Sequence, residues 1–216
     1  MNADHIARRT ADRLGRPLHT VDLGGGLGIP YFAGDQPIDL AAIKAEARAL
    51  FAEAKSRPGL KTAKFILEPG RFLAGPAGVY LSRVRSVKPS RGTTFVVLDG
   101  GMHHHLAASG NLGQVIKKDY PIVAVSRLGE PPAPEAQVVV GPLCTPLDTV
   151  GRKVAMPAVE AGDVIAILQS GAYGLTSSPV GFLSQPMPAE VLVDGANHPR
   201  LIRPAGSFAQ PITSLP

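Results

Sequence analysis

The stretch Asp22-Leu23-Gly24-Gly25-Gly26-Leu27-Gly28-Ile29-Pro30-Tyr31 constrains this chain more than any other, because four glycines fall within five positions directly after the strand-like run Leu18-His19-Thr20-Val21. Glycine turns where other residues strain, and it leaves backbone N–H groups open to a ligand. A strand that ends in such a turn commonly delivers those groups to a phosphate. Two readings stand at this point, a structural turn and a phosphate cradle. GGGLG is not GxGxxG, and no acidic residue follows about twenty positions on after a second strand, as a dinucleotide site requires.

The flanking residues supply the context. Ile6, Ala7, Ala11 and Leu14 recur at helical spacing and predict a helix over 2–14, ended by Gly15 and Pro17. Leu18–Leu23 reads as a short strand, and Asp39 or a neighbour caps a helix over 40–56 with Leu40, Ile43, Ala47, Leu50 and Phe51 on one face. Lys64–Leu67 reads as a second strand closing on Glu68-Pro69-Gly70-Arg71, with further helical turns through Gly75–Tyr80. Helix, strand, helix, strand, helix is the rhythm of parallel strands with helical crossovers. Two strands cannot complete such a layer, and an eight-stranded barrel takes about 250 residues. The α/β part therefore reads as the end of something larger.

After residue 80 the rhythm changes to short β-branched runs between Gly, Pro and Asp turns: Tyr80–Val87, Thr93–Leu98, Gln137–Val140, Val154–Met156, Val164–Leu168 and Ala189–Val193. That pattern predicts an all-β domain, with a tight turn at Glu160–Asp163. The expected division is 1–81 for the α/β part, 82–203 for the β-domain and 204–216 for a loose tail.

Composition narrows the function. The longest apolar runs, Val138–Val140 and Val164–Leu168, are too short to cross a bilayer, and no basic-then-apolar leader opens the chain. One cysteine excludes an internal disulfide and fits a reducing, cytoplasmic compartment. The net charge of +5 is scattered without a dense tract, which favours an anionic small molecule over nucleic acid.

Three further islands follow strand-like runs. In Glu68-Pro69-Gly70-Arg71, Arg71 suits a carboxylate or phosphate, and Glu68 suits a cationic ring nitrogen or Arg71 itself. In Gly141-Pro142-Leu143-Cys144-Thr145-Pro146-Leu147-Asp148, Cys144 is either a buried apolar residue or a proton donor or nucleophile, and Asp148 is placed to orient a substrate amine. In Ser170-Gly171-Ala172-Tyr173-Gly174, a tyrosine between glycines is poorly placed for a core and well placed for a phosphate or substrate contact. His103-His104-His105 follows Asp99-Gly100-Gly101-Met102. Adjacent strand residues face opposite sides, so the three cannot readily ligate one metal ion. They are expected to be solvated, structural, or a source of one pocket residue.

Together these motifs resemble, in order and over nearly the whole chain, the carboxyl-terminal part of the fold-type III pyridoxal-phosphate decarboxylases, the diaminopimelate/ornithine decarboxylase family. The resemblance implies an α/β plus all-β chain: the incomplete C-terminal portion of a (β/α)8 barrel followed by the family's β-domain. It implies that Gly24, Gly25 and Gly26 line the phosphate of pyridoxal 5'-phosphate, with Glu68, Gly70, Arg71 and Tyr173 beside the cofactor. It implies that Arg71 and Asp148 face substrate, and that Cys144 protonates the carbon from which carbon dioxide has left. Pro188-Ala189-Glu190-Val191-Leu192-Val193 is similar to the family's closing strand. The implied partners are a second copy or a complementary barrel fragment, and a small amino acid, free or tethered to an acyl-carrier protein.

Two departures shape the substrate expectation. Diaminopimelate enzymes usually carry arginine and tyrosine downstream of Asp-Gly-Gly-Met, where this chain reads HHHLAASGNLG, and the usual Cys-Glu-Ser element is Cys144-Thr145-Pro146. These features are closer to the branch associated with exosortase and exopolysaccharide clusters, or with carrier-bound amino acids, and a substrate other than diaminopimelate is expected. The family's covalent lysine and ring-stacking histidine lie upstream of the part represented, and Lys44, Lys55, Lys61 and Lys64 stand in the wrong context to replace that lysine. The chain alone is accordingly expected to lack normal decarboxylase activity, with a non-enzymatic interaction module as the alternative.

Overall fold

The computed structural model describes residues 3–32, 34–195 and 198–206, in two compact units. The first unit runs to Pro30 and resumes over Gly34–Gly75. Helix α1, Ala3–Leu14, turns Ala7 and Ala11 inward while Ile6 and Leu14 stay half exposed. Strand β1, Thr20–Asp22, pairs in parallel with β2, Lys64–Ile66, in the register Val21↔Phe65. Between them lies α2, Leu40–Ser56, whose first turn is capped by the Asp39 carboxylate accepting from the Ala41 and Ala42 N–H groups at 2.8 and 3.0 Å. The core is built from small residues, Ala7, Val21, Ala54, Leu60 and Ala63, with Leu18, Leu23 and Phe65 against it. Gly59 is needed there because a Cβ would come within 2.8 Å of the Ala11 Cβ.

The expected apolar face of α2 is only half realised. Ile43, Ala47, Leu50 and Phe51 are partly buried, Leu40 is exposed, and Ala54 alone is fully buried. A two-stranded sheet offers too narrow a surface to cover the whole face. Helix α3, Gly70–Ala74, continues as a 3₁₀ turn over Gly75–Ala77, so helix begins within the Glu68–Arg71 block, earlier than expected.

The second unit takes in residues 31–32 and the chain from Pro76. Six strands form one sheet in the order β5-β8-β3-β4-β6-β7: β3 is Tyr80–Ser90, β4 Thr93–Leu98, β5 Ile122–Ala124, β6 Gln137–Val140, β7 Thr149–Val154 and β8 Val164–Ile167. The β3–β4 hairpin closes through Arg91 and Gly92, both at positive φ (50° and 75°), the geometry that matches strand twist in two-residue loops. Strand β3 is long enough to serve two neighbours: Tyr80–Arg83 pair with β8, and from Val84 onward it pairs with β4 across an irregularity between Val84 and Ser86. Val84, Val96, Leu98, Val139, Val150, Ile165 and Ile167 are the fully buried centre. A separate hairpin joins β9, Glu190–Val193, to β10, Pro199–Arg203.

Three strands differ from expectation. The strand expected at Val154–Met156 is instead Thr149–Val154, because Met156 turns away to accept from Ala133 N–H and the Gln137 side chain. Strands β5 and β10 carry no strong periodicity: one has three residues, and the other opens on proline and holds two arginines. Of the expected loose tail, Gly206 exchanges backbone hydrogen bonds with Met187, and residues 207–216 lie outside the described residues. The mixed α/β segment followed by a β-sheet unit is the fold class the sequence predicts.

Candidate functional site

In the first unit, two turns at the carboxyl ends of β1 and β2 are stitched together. Leu23 N–H donates to Ile66 carbonyl at 3.0 Å and Glu68 N–H to Gly24 carbonyl at 2.8 Å. Each glycine of the triplet has its own reason. Gly24 (φ 70°) and Gly26 (φ 87°) are in the left-handed region that side chains avoid. Gly25 is closed for another cause: a Cβ would overlap the Glu68 carbonyl oxygen. The Gly24 N–H is taken by the Asp22 carboxylate at 2.7 Å and the Gly70 N–H by the Glu68 carbonyl at 2.8 Å, so neither offers the bare donor expected of it. The N–H groups of Gly25 and Gly26 donate to nothing among the described residues, and both glycines are exposed. Two adjacent open amides in a turn of alternating hand form a nest suited to anionic oxygen. Glu68 is exposed beside them, and Arg71 is exposed on the first turn of α3.

In the second unit, the chain leaving β4 is pinned first by Asp99, whose carboxylate accepts from the Ser82 hydroxyl at 2.6 Å and Arg83 N–H at 2.8 Å. The three histidines then sit on a turn rather than a strand, with His104 and His105 N–H groups donating to Gly101 carbonyl at 2.9 and 3.0 Å. All three are buried, which excludes the solvated reading. His104 Nε2 lies 2.8 Å from the Pro186 carbonyl, which can only accept, so Nε2 carries the proton. Nδ1 therefore accepts from the Tyr80 hydroxyl at 3.0 Å. Burial pushes the His104 imidazole down and the Tyr80 phenol up, keeping the ring neutral and the phenol protonated as this bond requires. His103 and His105 are held down to about 4, each by burial first, with His104 adding to the effect on His103. Their four ring nitrogens meet no hydrogen-bond partner among the described residues. His103 packs on His104 at 3.9 Å between ring centres, and His105 meets Tyr120 edge-on at 5.4 Å.

Cys144 is exposed on the loop between β6 and β7, which removes the buried reading. Asp148, expected to orient a substrate amine, is corrected: it is 1% exposed, and its two oxygens accept Met102 N–H at 2.6 Å and Leu143 N–H at 2.9 Å. An amine has no access to it. Burial raises its carboxyl above the ordinary value, with the two backbone bonds and His104 opposing. Tyr173 is 48% exposed and sits at φ 55°, a conformation uncommon for tyrosine. Sequence reasoning missed Tyr80, whose neighbours in sequence announced only a strand, and the pairing of Gly101 with Gly141, where a Cβ at either position would overlap the Asp148 carboxylate.

Comparison with known proteins places these features. Residues 11–171 match the family model described as pyridoxal-dependent decarboxylase, C-terminal sheet domain. The L-glutamyl-[BtrI acyl-carrier protein] decarboxylase of Niallia circulans is 38% identical over 204 residues, 94% of this chain and 47% of the relative. Diaminopimelate decarboxylase of Methanothermobacter thermautotrophicus is 35% identical over 190 residues, 87% of this chain and 42% of the relative. The crystal structure of diaminopimelate decarboxylase from M. jannaschii in complex with L-lysine superposes with a TM-score of 0.79 at 28% identity, covering 96% of this chain and 45% of that one. The chain spans about half the length of the curated relatives it matches. Among the described residues no helix is long and apolar enough to cross a membrane. The expected substrate is corrected here: repeated similarity to diaminopimelate decarboxylases, in sequence and in structure, overturns the reading against diaminopimelate.

Proposed function

The chain belongs to the pyridoxal-dependent decarboxylase family, and we propose that it supplies the phosphate cradle and the proton-delivering loop of an enzyme that removes the α-carboxyl group of an amino acid. The observation that carries this reading is the Gly24–Gly26 turn, with two open amides and no room for a Cβ at Gly25. These residues fit a phosphate ester. When bound, pyridoxal 5'-phosphate supplies the electron sink that lets the carboxyl group leave as carbon dioxide. Gly25 and Gly26 hold phosphate oxygens, Gly24 shapes the turn, and Gly70 lets the following backbone approach. Glu68 meets the ring nitrogen, Arg71 pairs with phosphate or substrate carboxylate, and the Tyr173 hydroxyl adds a contact on the cofactor side. Cys144 delivers a proton from Sγ to the α-carbon and, being exposed, regains it from water. A reducing, cytoplasmic setting keeps that thiol free.

In this reading residues 1–81 are the last part of a barrel and 82–203 the β-domain, completed by a second copy or by a complementary barrel fragment. Diaminopimelate is the substrate best supported, through the diaminopimelate decarboxylases among its relatives. A second reading, a carrier-tethered amino acid, is favoured by the 38% identity to the carrier-protein decarboxylase, while the exosortase-associated branch rests on the HHHLAASGNLG and GPLCTPLD stretches alone.

Titration with pyridoxal 5'-phosphate and with pyridoxal tests the cradle. The phosphate form is expected to bind at least about tenfold more tightly, a margin that one charge-assisted hydrogen bond supplies. Equal affinities would overturn it. Carbon dioxide release from diaminopimelate, with lysine as product, against release from a glutamyl-carrier conjugate separates the two substrates.

A further inference from the structure

We propose that Asp148 is a positioning residue whose buried carboxylate ties the loop carrying Cys144 to the loop carrying His103–His105, and so fixes where the thiol is presented. One oxygen accepts Met102 N–H at 2.6 Å, directly before the histidines, and the other accepts Leu143 N–H at 2.9 Å, directly before Cys144. The backbone of Asp148 closes the same loop from its other side, with its carbonyl accepting Gly141 N–H at 2.9 Å and its N–H donating to Thr145 carbonyl at 3.1 Å. Thr145 N–H in turn donates to Leu143 carbonyl at 2.8 Å, leaving Cys144 as the exposed tip of a loop whose ends are both held. Gly101 and Gly141 are the two sides of the slot, since a Cβ on either would overlap the carboxylate. The carboxylate is acceptor-only and offers one oxygen to each loop. An amide in its place keeps one acceptor and turns an N–H₂ toward the other loop's donor, so asparagine satisfies one loop and releases the other.

This assignment rests on the reading of Cys144 as the proton donor, but the two are tested separately. Cys144 is the chain's single cysteine, so alkylation of the full chain by iodoacetamide reports on that loop alone. In Asp148→Asn, one of the Met102 and Leu143 amides is expected to exchange with solvent at least about tenfold faster, the loss of one hydrogen bond. The alkylation rate is expected to shift at least about threefold, as a released loop re-presents its tip, while the amides of β4 and β6 keep their protection. Wild-type exchange at both amides, or an unchanged alkylation rate, would overturn the proposal. Should Asp148→Asn weaken the whole sheet, Gly141→Ala displaces the carboxylate without removing it. Sheet-wide loss in both variants would assign Asp148 to the fold alone and overturn the proposal too. The donor role is read from turnover of Cys144→Ala in the assembled holoenzyme, where unchanged turnover removes that role and leaves the loop coupling standing.

Discussion

The glycine turn and the paired loops around Asp148 fix chain at the ends of strands with opposite materials. The first is made of backbone: positive φ at Gly24 and Gly26, a forbidden Cβ at Gly25, and amides left open toward solvent. The second is made of side chains: the Asp148 carboxylate, the Tyr80 hydroxyl and the His104 imidazole are spent on protein partners, and the buried rings of His103 and His105 beside them meet none among the described residues. Donors left open toward solvent are available for a ligand, whereas buried groups, paired or stranded, act on the fold that encloses them. Changes in the first should therefore register as lost affinity and changes in the second as lost stability.

The largest break in that contrast from a single substitution is expected from Asp148→Ala. It strands the buried Leu143 N–H and the part-buried Met102 N–H, at roughly 1–3 kcal/mol each, or about 4 kcal/mol together, seen as a lower denaturant midpoint. Acid should act on the same region. His103 and His105 have folded values near 4 against an ordinary 6.5, so the unfolded chain takes up protons first as pH falls. Their contribution is full above about pH 6.5 and is lost progressively toward pH 4, at about 3 kcal/mol per ring. Denaturation curves at the two pH values measure the slope, and His103→Phe/His105→Phe is expected to flatten it.

Gly25→Ala probes the other side. Collision with the Glu68 carbonyl spoils two donors, and phosphate-dependent cofactor affinity is expected to fall roughly a hundredfold, or about 3 kcal/mol, in a titration. A variant that melts early but binds normally would reverse the contrast. Tyr80→Phe removes one bond to His104 and is expected to cost about 1 kcal/mol of stability. Cys144→Ala, at an exposed tip, is expected to stay within about 0.5 kcal/mol of the parent in stability.

What was legible in the sequence follows the same division. The glycine triplet could be read because positive φ at Gly24 and Gly26 is a local demand, whereas the reason at Gly25, the Glu68 carbonyl, could not; Thr93–Leu98, Gln137–Val140 and most of Val164–Leu168 were legible because β-branched runs between turns need no distant partner. The helix over 40–56 was equally plain, yet its burial was overestimated at Leu40, since amphipathicity reports which face turns inward and not how much surface waits there. Strand β7 was displaced because Gly151, Arg152 and Lys153 break the pattern, although Gly151 pairs with Val139 on β6 and the Asp119 carboxylate accepts the N–H groups of Arg152 and Lys153. The partners of Asp148 and the role of Tyr80 beside His104 escaped the sequence for one reason. Their partners, Met102 46 residues away and His104 24 residues away, are brought near only by the sheet. Similarity in turn overturned the expectation against diaminopimelate, because a loop that looks foreign in sequence belongs to a chain similar throughout to diaminopimelate decarboxylases.

The slot between Gly101 and Gly141 has a consequence for how such a sequence drifts. Neither glycine can gain a methyl group while the carboxylate of Asp148 stands between them, and a carboxylate lost from that position would relax the constraint on both at once. Three positions scattered over 48 residues should therefore be inherited as a set, with substitutions at the glycines appearing in lineages that have already exchanged the aspartate.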